Sequence, residues 1–171
     1  MMGWTFVNMP AHIVVRCREC GGAATMEDPF IRVQGRNVKE ALVGAPMRTT
    51  RVGGAAIVER YPDAIRWSQA RGMRFDFMDG AVGVVSCTKC VSRYSHTLRW
   101  PSDAFYYIQH RGKVLWAWNR EYFVVVRDFI ESSARDTVGS SYLRRKIPKF
   151  FLLAKNRATV VSKINRVLES S

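Results

Sequence analysis

Short alternating stretches of apolar and polar residues fill the first two thirds of the chain, and a three-to-four-residue apolar period takes over only near the end. Residues 4–8 and 13–16 read as short strands on either side of Met9-Pro10. Phe30-Ile31-Arg32-Val33 reads as another, ending at Gly35. From Val38 to Ala56 the residues become small and Gly/Ala-rich with no sustained period. That predicts a loop or a β-hairpin excursion, the loop being the preferred reading. Tyr61-Pro62-Asp63 predicts the start of a short helix, because proline is tolerated in a first helical turn, and Gly72 predicts its end. Arg74–Phe77 and Ala81–Val85 predict two strands around an Asp79-Gly80 turn, and Arg93–Leu98 a further one.

The clearest hairpin lies beyond Trp100-Pro101. Phe105–His110 and Val114–Trp118 are both aromatic and β-prone, and they flank Arg111-Gly112-Lys113. Asn119 then reads as an N-cap, with Glu121 complementing the dipole of the helix that follows. Its predicted apolar face is Tyr122, Val125, Val126, Phe129 and Ile130, ending near Ser133. Residues 135–141 read as a polar linker and Tyr142–Lys146 as a short helical or irregular piece. A last helix carries Val160, Val161, Ile164, Val167 and Leu168 on one face. One face of the hairpin must be buried against the helix over residues 119–133, and Trp116 and Trp118 are assigned to that face. Tyr107 and the basic turn are left exposed.

The cysteines add chemistry to this pattern. All four occur as C-x-x-C pairs, Cys17/Cys20 and Cys87/Cys90, and each pair follows an extended apolar stretch. Gly21 and Gly22 suit the positive φ of a tight turn after the first pair. Two such knuckles facing each other make a closed tetrahedral site of four thiolates, which holds a structural Zn2+ ion. An iron–sulfur cluster takes the same four thiolates, and spacing alone admits both. A thioredoxin-like redox pair would leave the second C-x-x-C unexplained. Compact ribbons separate their pairs by about 15–20 residues. Here 66 residues intervene, so the metal is expected to act as a clasp on the ends of a long excursion.

On these residues the chain resembles the zinc-ribbon class, over roughly residues 13–22 and 84–94. The resemblance implies a metal-clamped pair of β-hairpins and leaves function open between DNA binding, RNA binding and protein docking. Trp100-Pro101 and Leu115-Trp116-Ala117-Trp118-Asn119-Arg120-Glu121 resemble a W-P…L-W-A-W-N-R-E segment of bacterial zinc-ribbon proteins, a resemblance that carries no activity. The expected fold is α+β: a four-cysteine zinc ribbon with β-hairpins, then an aromatic hairpin and C-terminal helices. The expected division is a β-rich ribbon domain over 1–98, with an insertion at about 21–86, and a hairpin-plus-helix part over 99–171.

Charge points to a partner. There are 27 Lys+Arg against 14 Asp+Glu, a net charge of +13, in a chain whose 47% apolar content is enough for a real core. Residues 91–171 carry +9 of that charge and residues 1–90 carry +4. The excess favours a polyanion, and the residues expected to contact nucleic acid are Tyr107, Arg111, Lys113, Arg144, Arg145, Lys146, Lys149, Lys155 and Arg157. The rival expectation is an adaptor that docks an acidic protein partner on the same basic surface. Catalysis has little support. His12, His96 and His110 are far apart, and no metal-protease, paired-carboxylate or phosphate-loop motif occurs. No secretory leader is visible and no apolar run approaches the roughly 20 residues of a membrane span. A cytoplasmic protein with no membrane association is therefore expected.

Overall fold

The structure is a computed structural model that describes residues 12–34, 49–52, 55–70, 77–132 and 140–170. The fold is α+β. Its strands are β1 (Ile13–Arg16), β2 (Ala23–Glu27), β3 (Phe30–Gln34), β4 (Thr49–Val52), β5 (Ala55–Glu59), β6 (Val82–Ser86), β7 (Arg93–Thr97), β8 (Tyr106–His110) and β9 (Lys113–Ala117). Its helices are α1 (Arg120–Glu131), α2 (Ser140–Lys146), α3 (Lys149–Leu152) and α4 (Ala154–Glu169). A four-stranded sheet has the order β1-β2-β6-β7, a three-stranded sheet the order β3-β5-β4, and β8-β9 form a third. Among the described residues no helix is long and apolar enough to cross a membrane. The chain divides into two compact units, Met1–Ala23 with Pro101–Ser171, and Ala24–Trp100.

In the unit Ala24–Trp100, β3 and β4 both pair antiparallel with β5, with Phe30 opposite Glu59 and Thr49 opposite Val58. Within residues 38–56 the hairpin alternative thus holds for residues 49–52 and 55–56, which pair in β4 and β5, and residues 38–48 and 53–54 lie outside the described residues. Phe30, Ile57, Ile65, Ala70 and Val84 form the core, and Trp67 packs edge-on to Phe30 at 5.3 Å. The helix expected after Pro62 is instead a pair of turns. The Ala64 and Ile65 N–H groups both donate to the Tyr61 carbonyl, and Gln69 donates to Arg66. The buried Glu59 carboxylate explains the change. It accepts the Trp67 N–H at 2.8 Å, and in an α-helix that N–H would belong to the carbonyl four residues earlier. The strand predicted at Arg74–Phe77 falls almost wholly outside the described residues, as does the one at 4–8. Strand β2 and helix α3 were not anticipated, being short and without a clear period.

In the other unit, the hairpin has a two-residue turn, tighter than the three residues expected. Arg111 and Gly112 both have positive φ, 48° and 74°, the geometry whose twist matches that of the flanking strands. Tyr106, Ile108, Leu115 and Ala117 project from its inner face into a core with Phe123, Val126, Ile130, Phe151, Val160 and Ile164. Asn119 caps α1 as predicted, its side-chain oxygen accepting from the Tyr122 N–H at 2.9 Å. The face that α1 buries is rotated from the predicted one. Phe123 is fully buried and Val125 is 47% exposed. The apolar residues of α1 ring more than half the helix, so period alone does not choose between adjacent faces; the partners in α4 and β9 do.

Candidate metal centre and basic hairpin end

Each cysteine pair follows a strand, β1 or β6, and the backbone turns beyond the two strands match. The Cys17 N–H donates to the Gly22 carbonyl at 2.8 Å, five residues on, and the Cys87 N–H donates to the Ser92 carbonyl at 2.9 Å, also five residues on. The residue four beyond the first cysteine has positive φ in both turns, 71° at Gly21 and 57° at Val91. The Sγ atoms of Cys17, Cys20, Cys87 and Cys90 all lie within 4.8 Å of one another. Cys17 and Cys87 are buried, Cys20 is half-buried and Cys90 exposed, and none is in a disulfide. Zn–S bonds of about 2.3 Å in a tetrahedron put the sulfurs about 3.8 Å apart, so the observed 4.8 Å limit is about 1 Å from a closed site. Four soft thiolates with no oxygen ligand among them make a group that can hold a metal ion.

The Ser92 hydroxyl lies 3.1 Å from the Cys90 sulfur, where it can donate to a thiolate. Nothing in the residue types marked Ser92 beforehand. The equal five-residue offset of Gly22 and Ser92 was nonetheless readable from the two motifs. His96, six residues past Cys90, is not in the group; its ring stands edge-on to Tyr94 at 6.2 Å.

Beside the first knuckle, β1 is fastened to the hairpin. Val14 N–H donates to the Trp118 carbonyl at 2.7 Å, Arg16 N–H donates to Asp103 at 2.8 Å, and Val15 bridges Ala104. The Asn119 amide donates to the His12 carbonyl. This sets the Arg16 guanidinium over the Tyr107 ring, 4.8 Å from its centroid. Arg18 is held by Glu19 at 2.8 Å, and both side chains are exposed.

The expected nucleic-acid residues fall into two groups. Tyr107, Arg111 and Lys113 are exposed on the hairpin, while Arg144, Arg145, Lys146, Lys149 and Lys155 are exposed on or between the C-terminal helices. Phe150 links the two. The Lys113 ammonium sits 5.7 Å from its ring centroid, the His110 ring is 5.7 Å away, and its carbonyl accepts from the Asn156 amide at 2.8 Å. Lys163 adds a second tie, its ammonium donating to the Gln109 carbonyl at 2.7 Å. Arg157 is half-buried, and its Nε and the Nε2 of His110 are enclosed without hydrogen-bond partners among the described residues.

The assignment of Trp116 and Trp118 to the buried face needs correction. Trp116 has the opposite parity on β9 to Leu115 and Ala117 and so stands on the outer face, Trp118 directly follows the strand, and both are half-buried outside the core. Trp118 does pack on α1, but on Tyr122 at its exposed start, with ring centroids 4.9 Å apart. The core instead takes the smaller Leu115 and Ala117.

No family model, curated protein or solved structure matches the chain. The site is therefore read from its own chemistry: an α+β protein with a four-cysteine group that can hold a metal.

Proposed function

We propose that this chain is a zinc-stabilised protein of the zinc-ribbon kind that binds nucleic acid, the metal serving as scaffold and the basic end of the hairpin as contact surface. Zinc is supported by the spacing of the donor set, since four sulfurs all within 4.8 Å of one another suit one tetrahedral ion with no open position for a substrate. When bound, the ion would hold the two turns against each other. The protein does the rest: the N–H bonds within each turn orient the sulfurs, and Ser92 supports Cys90.

The observation that supports nucleic acid is the clustering around Phe150. Lys113 and His110 from the hairpin pack on Phe150 of α3, the residue next to the exposed Lys149, and Lys163 is tied to the same strand end. Cations held close together on packed elements meet several adjacent phosphates and lose little side-chain freedom in doing so. The net charge of +13 adds long-range attraction for the same partner.

Two measurements test the reading. Elemental analysis of the purified protein should give one zinc per chain and no visible iron–sulfur absorption; iron with sulfide would replace zinc in this account. Fluorescence anisotropy with labelled oligonucleotides should give affinities that fall linearly with log salt. Lys113→Ala and Lys149→Ala together should make that slope shallower by about 2. Binding that ignores salt, or no binding at low salt, would remove the nucleic-acid reading. A stable complex with an acidic protein that survives nuclease would then take its place.

A further inference from the structure

We infer that the nucleic acid taken by this protein is single-stranded, and that the outer face of the β8–β9 hairpin is a stacking platform for unpaired bases. The inference rests on the nucleic-acid reading above and deepens it. It begins with an anomaly in the alternation of the hairpin. A two-stranded ribbon with one face packed on helices ordinarily turns polar residues outward. Here the inner face carries Tyr106, Ile108, Leu115 and Ala117, and the outer face is aromatic as well.

Tyr107 and Trp116 lie directly opposite each other across the two strands. Tyr107 is 36% exposed, and Trp116 and Trp118 are half-buried outside the core. Trp116 and Trp118 meet at 6.2 Å with their planes at 80°, and Trp118 meets Tyr122 at 4.9 Å. The outer face thus bears a row of rings, with the Arg16 guanidinium lying over Tyr107.

Rings and planar guanidinium groups recognise the flat faces of bases, and they do so whatever the base sequence. In a duplex those faces are covered by neighbouring base pairs. A β-ribbon can enter a duplex major groove, but there it reads base edges with hydrogen-bonding side chains such as Arg, Asn, Gln, Ser and Thr. Tyr107, Trp116 and Trp118 present mainly π surface. Charge to follow a phosphate backbone past this face is available from Arg16, which lies over Tyr107, and from Arg111 at the turn. Charge complementarity and base-face chemistry therefore point to one occupant, an unpaired strand.

The test uses the full chain with zinc bound and three labelled probes of the same sequence: single-stranded DNA, single-stranded RNA and the blunt DNA duplex. We expect either single strand to bind at least about tenfold more tightly than the duplex, with quenching of tryptophan fluorescence on binding. Tyr107→Ala should weaken single-strand binding about tenfold while leaving the salt slope unchanged, because it removes stacking and no cation. Trp116→Leu should do the same, provided its circular dichroism matches the parent; if it unfolds, Tyr107→Ala and the quenching decide. A duplex bound as tightly as the single strands, or a Tyr107→Ala variant with unchanged affinity, overturns the platform and leaves salt-dependent nucleic-acid binding standing. Failure of all three probes to bind overturns both readings.

Discussion

The two cysteine knuckles share one backbone turn but place different residues, Gly21 and Val91, at its left-handed position. In each, the first cysteine's N–H reaches the carbonyl five residues on, and the residue four on is left-handed. Gly21 fills that position in the first knuckle at no steric cost. Val91 fills it in the second, where a β-branched side chain is among the least tolerant of positive φ. Val91 is also 88% exposed, so no burial offsets the strain. The turn is therefore imposed on the second knuckle from outside its own sequence. Two sources are visible: the β6–β7 pairing, which places Ser86 opposite Arg93, and the convergence of four sulfurs. The first knuckle is made by Gly21, Gly22 not having the positive φ expected of it, and the second by its surroundings.

Removing the metal is the most severe way to break this comparison. Cys17→Ser and Cys87→Ser should each lower zinc affinity by more than about 100-fold, beyond the roughly 10–100-fold typical of losing an outer partner. A competition titration with a chromophoric chelator measures this. On chelation the second knuckle should relax first, visible as faster amide exchange at Val91 and Ser92 than at Gly21 and Gly22. Equal exchange in both would mean that the strained turn does not depend on the metal.

A smaller effect is expected at the support of the first knuckle. Asn119 is buried, caps α1 and donates to the His12 carbonyl just ahead of β1. Asn119→Ala should cost about 1–2 kcal/mol in denaturant unfolding, since one substitution removes both a cap and a tie to the strand.

Exchanging the differing residue sharpens the comparison directly. Val91→Gly should stabilise the protein by about 1 kcal/mol. Gly21→Val should destabilise it by about 1–2 kcal/mol. A Cβ on Gly21 meets nothing within 4 Å, so the cost there is conformational and free of clashes. If Val91→Gly were neutral or destabilising, the left-handed turn would not be a source of strain.

The smallest effect lies beside the second knuckle. Arg93, in β7, stacks over Tyr61, whose phenol donates to the Glu27 carboxylate at 2.5 Å. Burial, and then the hydrogen bond and charge of Glu27, raise the Tyr61 pKa above its ordinary value of 10.0. A raised folded-state pKa favours the neutral phenol. Its contribution is complete below pH 10 and is lost as pH rises through the raised value. Tyr61→Phe has no such group to titrate. Its stability should fall less steeply above pH 10 than the parent's, which alkaline unfolding curves would show.

Much of this could be read from the residues because it depended on local patterns. The C-x-x-C pairs after apolar stretches, the Asn119 cap and the aromatic hairpin around Gly112 each follow from residue type and spacing within a few positions. The α+β character follows from the change of period along the chain. What only the tertiary structure decided were choices between locally equivalent options. Phe123 rather than Val125 faces the core because α4 and β9 select among adjacent faces of a helix whose apolar residues ring more than half of it. Leu115 and Ala117 rather than Trp116 and Trp118 turn inward because strand parity makes two faces, and the space beneath the hairpin determines which of them is buried. Trp67 leaves a helix for Glu59, eight residues earlier, because a buried carboxylate needs a donor. Val91 enters a left-handed turn because sheet pairing and four converging sulfurs outweigh its own conformational preference. Local sequence determines which conformations are inexpensive; contacts between distant segments decide which one is adopted.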